Sequence, residues 1–300
     1  AGTETWTETS LPTVHSGVGF WWSRAVAGGA DGNSIHIIGL AKPVASGGVM
    51  TNGQDGSLMY WRSQDQGATW DIQDFQPAGI GSDEILRYTA DSYTIVSHGD
   101  DIAFAVFHDF ADSFVMISHD NGDSWEKTIL YDFPVDLYNM NDEIIDENSD
   151  GLADTMSSSD GSGALLFDNN GMLHATFGNM NYLDEVVGDA GAYVFYPGLG
   201  GLQYWNETMG ANNSVLLADL EDMDGDDEFT YGSDLANYGV SMTSMSGLAK
   251  DDDGNLYVVY SAGMDNLLFD NGNGATFNYR HLFMKASTDG GNIWGTAVDI

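Results

Sequence analysis

Ser63-Gln64-Asp65-Gln66-Gly67-Ala68-Thr69-Trp70 is one of three near-copies in this chain. The others are Ser118-His119-Asp120-Asn121-Gly122-Asp123-Ser124-Trp125 and Ser287-Thr288-Asp289-Gly290-Gly291-Asn292-Ile293-Trp294. All three read Ser-x-Asp-x-Gly-x-x-Trp. An Asp side chain accepts hydrogen bonds from the N–H groups of its own loop, and Gly supplies a backbone angle that other residues resist. Each octet therefore predicts a tight β-hairpin turn. The Trp opens the outgoing strand and is expected to cover the hairpin from outside the main core.

A second element recurs upstream of the octets. Ala30-Asp31-Gly32-Asn33, Gly99-Asp100-Asp101, Asp168-Asn169-Asn170-Gly171 and Asp252-Asp253-Gly254-Asn255 each precede an apolar run of strand length, such as Ile102-Ala103-Phe104-Ala105-Val106-Phe107. A polar turn followed by such a run predicts a hairpin into a well-buried strand. The element defines four units, about 23–74, 93–130, 163–217 and 246–300, whereas counting by the octets alone would give five. The third unit has no octet. Its Gly201-Leu202-Gln203-Tyr204-Trp205-Asn206 aligns with Ser57-Leu58-Met59-Tyr60-Trp61-Arg62, and Met209 stands where the first unit has Asp65. Each unit offers four strands, with the acidic turn between the first two and the octet between the last two. Such a sheet cannot bury both faces alone, so the units are expected to pack side by side around an axis.

The octets resemble the Asp-box, or BNR repeat, of sialidase-like β-propellers. That resemblance implies an all-β propeller of four-stranded antiparallel blades. It also implies that Ser63, Asp65, Gly67, Trp70, Ser118, Asp120, Gly122, Trp125, Ser287, Asp289, Gly291 and Trp294 are structural. Family members generally have six or more blades, so the chain is expected to be the N-terminal part of a longer protein, with a closed four-bladed ring as the alternative. Thr5-Trp6-Thr7-Glu8-Thr9-Ser10-Leu11-Pro12 is similar to the segments that follow the octets, and reads either as an orphan fourth strand or as a lead-in. The whole is similar to secreted, Asp-rich BNR-repeat proteins of the Bacteroidetes type.

The chain carries 46 acidic residues against 8 basic ones, a formal net charge of −38. Such a surface repels nucleic acids and anionic membranes. It fits a surface made for salty water, the holding of divalent cations, or drift without constraint. There is no cysteine, no run approaching the roughly twenty apolar residues of a membrane helix, and no signal-peptide pattern at Ala1. Between the units lie polar, acidic stretches, the largest at 131–162 and 218–243, and loops of that length usually carry function or stay mobile.

Two of these stretches have ligand-like spacing. Asp146, Asn148, Asp150 and Asp154 form Asp-x-Asn-x-Asp-Gly-x-x-Asp, in which alternate oxygen donors can turn toward one hard cation while Gly151 permits the bend. Ser157 replaces the bidentate Glu of an EF-hand, so a loop-type Ca²⁺ site is expected, the alternative being a solvated acidic loop. Asp222, Asp224, Asp226 and Glu228 alternate in a similar way and form a second candidate. Bound Ca²⁺ would order inserts that carry much like charge.

Sialidase activity is the reading the resemblance invites, and the residues oppose it. Such an enzyme grips its substrate carboxylate with three arginines; this chain has only Arg24, Arg62, Arg87 and Arg280, and lacks the family's Arg-Ile-Pro motif. Arg62 and Arg280 fall on predicted third strands, where outward ion pairs explain them. Hydrolysis of other glycosides needs only two carboxylates and names no residues here. The histidines show no metal-ligand spacing, and the repeated positions of His36 and His174 point to core packing. Phe20-Trp21-Trp22 and Tyr193-Val194-Phe195-Tyr196 read as aromatic blade core or as a sugar-stacking platform.

The sequence thus predicts a secreted or cell-surface, non-catalytic β-propeller with Ca²⁺-stabilised acidic loops. It is expected to bind a glycan or protein, or to serve in assembly with further domains or other copies, without nucleic-acid partners or membrane insertion. A propeller glycoside hydrolase and a structural component of an extracellular layer or filament are the alternatives.

Overall fold

The computed structural model describes residues 19–189, 191–222, 225–226, 228–234 and 239–300. The segment Thr5–Pro12, read as an orphan or lead-in strand, lies outside them, as does Asp224. Among the described residues, sixteen strands form four sheets, each antiparallel and each in simple sequence order. The first holds β1 (Phe20–Gly28), β2 (Ser34–Ala41), β3 (Leu58–Ser63) and β4 (Ile72–Phe75). The second holds β5 (Tyr93–His98), β6 (Asp101–Val106), β7 (Ser113–Ser118) and β8 (Glu126–Tyr131). The third holds β9 (Met156–Phe167), β10 (Leu173–Leu183), β11 (Val194–Asn206) and β12 (Val215–Ala218). The fourth holds β13 (Thr243–Lys250), β14 (Leu256–Asp270), β15 (Thr276–Ser287) and β16 (Val298–Asp299).

The first strands of successive sheets touch, β1 against β5, β5 against β9 and β9 against β13. They form the inner wall of an all-β propeller arrangement. Because strands alternate in direction, the acidic turns and the octets share one end of the sheets. The β2–β3, β6–β7 and β10–β11 loops and the connections between sheets gather at the other. No helix among the described residues is long and apolar enough to cross a membrane.

Core packing follows from the alternation of side chains along each strand. Ile38, Leu40 and Tyr60 of the first sheet meet Ile102, Phe104 and Phe114 of the second. The opposite face of the second sheet, with Ala103, Ala105 and Val115, meets Phe177 and Trp205 of the third. Leu202 and Tyr204 of the third meet Val258, Tyr260 and Phe283 of the fourth. All of these residues are buried.

The octets build one turn three times. The Ser hydroxyl donates to the Asp carboxylate at 2.9, 2.8 and 2.8 Å in chain order, and accepts the Gly N–H at 2.8, 2.8 and 2.9 Å. The Asp then accepts the N–H of Thr69, Ser124 or Ile293. These bonds favour the charged carboxylate, and those from Ser124 hold Asp120 down at about 2. The three glycines sit at φ +88°, +87° and +87°, where side chains are strained.

Two of the tryptophans lie elsewhere than the sequence predicts. Trp125 and Trp294 do not cap their hairpins from outside the core; they pack between sheets. Trp125 stands edge-on to Tyr60 of the preceding sheet, with centroids 5.0 Å apart, and Trp294 does the same to Tyr204 at 5.2 Å. Each tyrosine hydroxyl is hydrogen-bonded to a buried histidine, Tyr60 to His36 Nδ1 at 2.7 Å and Tyr204 to His174 Nδ1 at 2.8 Å. Burial lowers the pKa of both imidazoles, His36 to about 4, so they pack as neutral rings. A methyl group on Gly122 would lie 2.0 Å from the Tyr60 hydroxyl, and one on Gly291 would lie 1.8 Å from that of Tyr204. Among the described residues, Gly67 faces no such hydroxyl, and its nearest neighbour at that point is Ile35 at 3.6 Å.

Arg62 also differs from its predicted outward ion pair. Its side chain is 5% exposed, pairs with Asp71 at 2.7 Å, and crosses to the second octet at Asp123 (2.8 Å) and the Asn121 carbonyl (2.7 Å).

Three strands begin earlier than the sequence pattern shows: β1 at Phe20, β9 at Met156 and β13 at Thr243. Seven residues of the stretch 131–162 therefore belong to β9. Register shifts interrupt the alternation there, between Trp21 and Arg24 on β1, between Ser159 and Gly163 on β9, and between Ser244 and Gly247 on β13.

The glycine geometry gives a direct test. Gly67→Ala, Gly122→Ala and Gly291→Ala share the same backbone strain, so their differences report the tyrosine contact. Denaturant unfolding is expected to show Gly122→Ala and Gly291→Ala less stable than Gly67→Ala by about 2 kcal/mol, as for overpacked interiors. Adding Tyr60→Phe should restore part of that loss to Gly122→Ala and none to Gly291→Ala.

Candidate functional site

The end of the sheets opposite the octets holds the described cavities with the richest chemistry. A cleft of about 280 Å³ opens between the connection before β5, the β6–β7 loop, the segment after β8 and the β10–β11 loop. Arg87, His108, Asp109, Asn139 and Tyr193 line it. Beside it, a hollow of about 420 Å³ lies at the mouth of the inner strands, with Asp91, Asp109, Asp160 and Met245 on its walls. Asp109 borders both.

Its aromatic wall is anchored in a small separate core. Phe110 packs against Tyr182 at 4.7 Å, against Tyr193 at 4.9 Å and 71°, and against Tyr138 at 5.8 Å. Tyr138 donates its hydroxyl to Asp184 at 2.8 Å and Tyr182 donates to the Ser159 carbonyl at 2.9 Å, so both rings are fixed at their polar ends. Tyr193 is 38% exposed and presents its ring to the cleft. Burial raises its phenol pKa and the Asp109 charge raises it further, against the opposing effect of Arg87. His108 is buried and holds the cleft floor through Nε2, 2.7 Å from the Arg87 carbonyl.

Asp160 is the enclosed acid of the site. It accepts N–H bonds from Ser162 at 3.0 Å and Ser241 at 2.8 Å, while burial raises its pKa and Arg280 partly opposes that rise. Arg280 donates to the Ser241 carbonyl at 3.0 Å, so it serves this junction and not an outward ion pair as predicted. Gly178 makes the arrangement possible: a methyl there would stand 2.2 Å from both Asp160 Oδ2 and Ser244 Oγ.

At this same end each inner strand, or the segment leading into it, turns through left-handed backbone. The residues are Trp22 (φ +50°), Asp91 (+67°), Gly161 (+81°) and Met245 (+56°). This conformation is rare for a bulky side chain. Trp22 is held in it by its carbonyl, which accepts the Tyr93 hydroxyl at 2.6 Å, and its indole is left 41% exposed. Arg24 pairs with Asp91 at 2.6 Å beside it.

Of the sequence-predicted metal ligands, Asp146, Asn148, Asp150, Asp154, Asp222 and Asp226 lie away from this cleft, in their own loops, and are occupied with backbone N–H groups. Asp146 accepts from Asp150 and Gly151, Asn148 from Asp150, Asp150 from Leu152, and Asp154 from Glu147 and Asn148. Asp222 accepts from Gly225 and Asp226 from Glu228. Among the described residues, no three Asp, Glu or His side chains gather as a metal-holding group. The residues Arg87, His108 and Asp109 of the cleft and Asp160 of the hollow escape sequence reasoning because they come from three separated segments. The Tyr193 stretch was legible as a candidate platform, and Tyr193 stands in the cleft.

No family model matches the chain, and no curated protein matches it. Solved structures with a similar course include a protein of unknown function from Dyadobacter fermentans, 12% identical with TM-score 0.36, covering 93% of this chain and 68% of that one. A GH93 α-L-arabinofuranosidase of Fusarium graminearum, solved with arabinobiose, is 14% identical with TM-score 0.41, covering 97% of this chain and 68% of that one. Trypanosoma rangeli sialidase is 14% identical with TM-score 0.38; the match covers 94% of this chain but spans only 38% of the sialidase.

Replacing Gly178 by Ala should force Asp160 and Ser244 apart. The variant is expected to lose about 2 kcal/mol in chemical denaturation, whereas Gly210→Ala, whose added methyl meets open space, should lose only what its positive φ imposes.

Proposed function

We propose that this chain is a non-catalytic glycan-binding propeller module whose site is the cleft opposite the octets. The observation that carries the reading is Tyr193, whose ring is fixed by Phe110 and Tyr182 and turned toward Asp109, Arg87 and Asn139. Flat aromatic rings cover the apolar faces of sugars, and planar polar groups pair with hydroxyls; both gain when held rigid beforehand. The exposed Trp22 indole, held in strained backbone near the Arg24–Asp91 pair, supplies a second stacking surface. Two carboxylates of the hollow are engaged in holding it together: Asp91 by Arg24, Asp160 by backbone N–H groups. A role outside the cell or at its surface accords with the strong negative charge, which would also keep the module off nucleic acid.

Binding to a panel of neutral and acidic polysaccharides, followed by calorimetry and by tryptophan fluorescence, tests this reading. At least one should bind, and Tyr193→Ala should weaken it by about tenfold or more, in line with the 1 to 3 kcal/mol typical of a stacked ring on alanine substitution. Loss of affinity in Trp22→Ala but not in Tyr193→Ala would move the site to the face around Trp22. Release of reducing sugar by the wild type would favour the hydrolase reading.

Calcium is proposed as a stabiliser of the insert after β8 and not as part of the cleft. The support is chemical: the loop 146–154 offers only oxygen donors, and an oxygen that accepts one N–H keeps a second lone pair. Calcium added to chelated protein should raise the thermal midpoint and slow proteolysis at this loop; an unchanged midpoint and cleavage rate would remove the ion from the account.

A further inference from the structure

The β6–β7 loop is pinned on both sides of Asp109. On one side His108 reaches the Arg87 carbonyl through Nε2 at 2.7 Å; on the other the Phe110 N–H donates to the buried Ser158 hydroxyl at 3.0 Å. Phe110 takes left-handed backbone at φ +56°, which turns the chain sharply after Asp109. One pin ties the loop to the connection before β5, and the other ties it to β9. Asp109 thus stands as a fixed post between two anchored segments, with its side chain 30% exposed.

The same segments wall both cavities. The connection before β5 gives Arg87 to the cleft and Thr89, Ala90 and Asp91 to the hollow. Tyr88, between these two stretches, is buried with its hydroxyl on the Ile80 carbonyl at 2.8 Å, so its ring takes no space from either. The cleft, at about 280 Å³, falls just below the roughly 300 to 1,000 Å³ usual for a ligand pocket. The hollow continues it past Asp109 over Gly161, Ser162 and Gly163, where two of the three positions carry no side chain.

Charge differs along this course. The cleft offers the Arg87 guanidinium and the Asn139 amide beside Tyr193. The described walls of the hollow hold Asp91, Asp109 and Asp160 and no Lys or Arg. Arg24 holds Asp91, and N–H groups hold Asp160. The Asp109 carboxylate is the one that both cavities share. An anionic sugar unit in the hollow would face it without a described countercharge, in a chain of net charge −38. A neutral unit meets it with hydroxyl donors.

We infer that the cleft and the hollow form one groove for several consecutive units of a neutral, linear glycan, with Asp109 accepting hydroxyls from units on either side of it. The inference rests on the glycan reading and adds the length and charge of the ligand. Stacking on Tyr193 fixes one unit. Hydrogen bonds in the hollow and contact with the exposed Met245 side chain take up its neighbours.

Calorimetry with neutral gluco-, manno-, xylo- and arabino-oligosaccharides, from monosaccharide to hexasaccharide, tests this beside an oligogalacturonate ladder of the same lengths. At least one neutral ladder should gain about tenfold or more in affinity from disaccharide to hexasaccharide, the worth of a few added hydrogen bonds. The acidic ladder should bind more weakly at low salt. Tyr193→Ala should weaken every length. Ala90→Trp, which sets an indole in the hollow, should bring the hexasaccharide down to the affinity of the disaccharide, and Met245→Ala should remove part of the same gain. Circular dichroism checks the fold of each variant, and if Ala90→Trp fails to fold, Met245→Ala decides. Affinity independent of length in a ladder that binds would overturn the groove and leave the glycan reading standing. So would a length gain that survives the hollow variants, or tighter binding of the acidic ladder. Failure of every ladder while a polysaccharide still binds would overturn the groove alone; failure of both would remove both readings.

Discussion

Two glycines meet two tyrosine hydroxyls across the gaps between sheets, and much of the architecture depends on that close approach. A propeller-type sheet cannot bury its faces alone, so the junctions carry much of the core of the fold. At the junctions of the first with the second sheet and of the third with the fourth, the octet is half of a lock whose other half is a buried His–Tyr pair. The octet's internal bonds from Asp and Ser hold the glycine at the angle that lets the hydroxyl in. Its tryptophan then closes over the same tyrosine. Local turn chemistry and long-range packing are satisfied by one set of residues, which is the consistency that makes a sequence specify a fold.

Much of this was legible in the sequence because it repeats. The octets, the acidic turns and the apolar runs after them placed all four sheets, including the third, whose octet is gone and whose Met209 turns inward to the junction instead. What escaped was whatever depends on a partner far along the chain. No pattern in Ser118–Trp125 says that Trp125 will leave its own hairpin and lie on Tyr60. The early starts of β1, β9 and β13 escaped for a different reason: register shifts break the period of two on which strand recognition rests.

The candidate site was legible only in part, at Tyr193 and Trp22. Arg87, His108, Asp109 and Asp160 carry no local signature, and they converge because the connection before β5, the β6–β7 loop and β9 meet at that end of the sheets. Acidic spacing was the louder signal, and in the structure those carboxylates serve first to hold their own loops. A surface carrying so much like charge gains from having each Asp tied to N–H groups, since that fixes loop shape without adding a countercharge.

The kinks of the inner strands divide each repeat into two halves that answer to different demands. Below the kink, the strands run in register to the octet, and a change of one methyl group is felt by the neighbouring sheet. Above it, the ladder of β1, β9 and β13 resumes in a shifted register, and the connections vary from a short loop after β6 to the long insert before β9. The lower half can therefore be inherited almost unchanged while the upper half is rewritten. A chain made this way can acquire a new ligand without having to find a new fold.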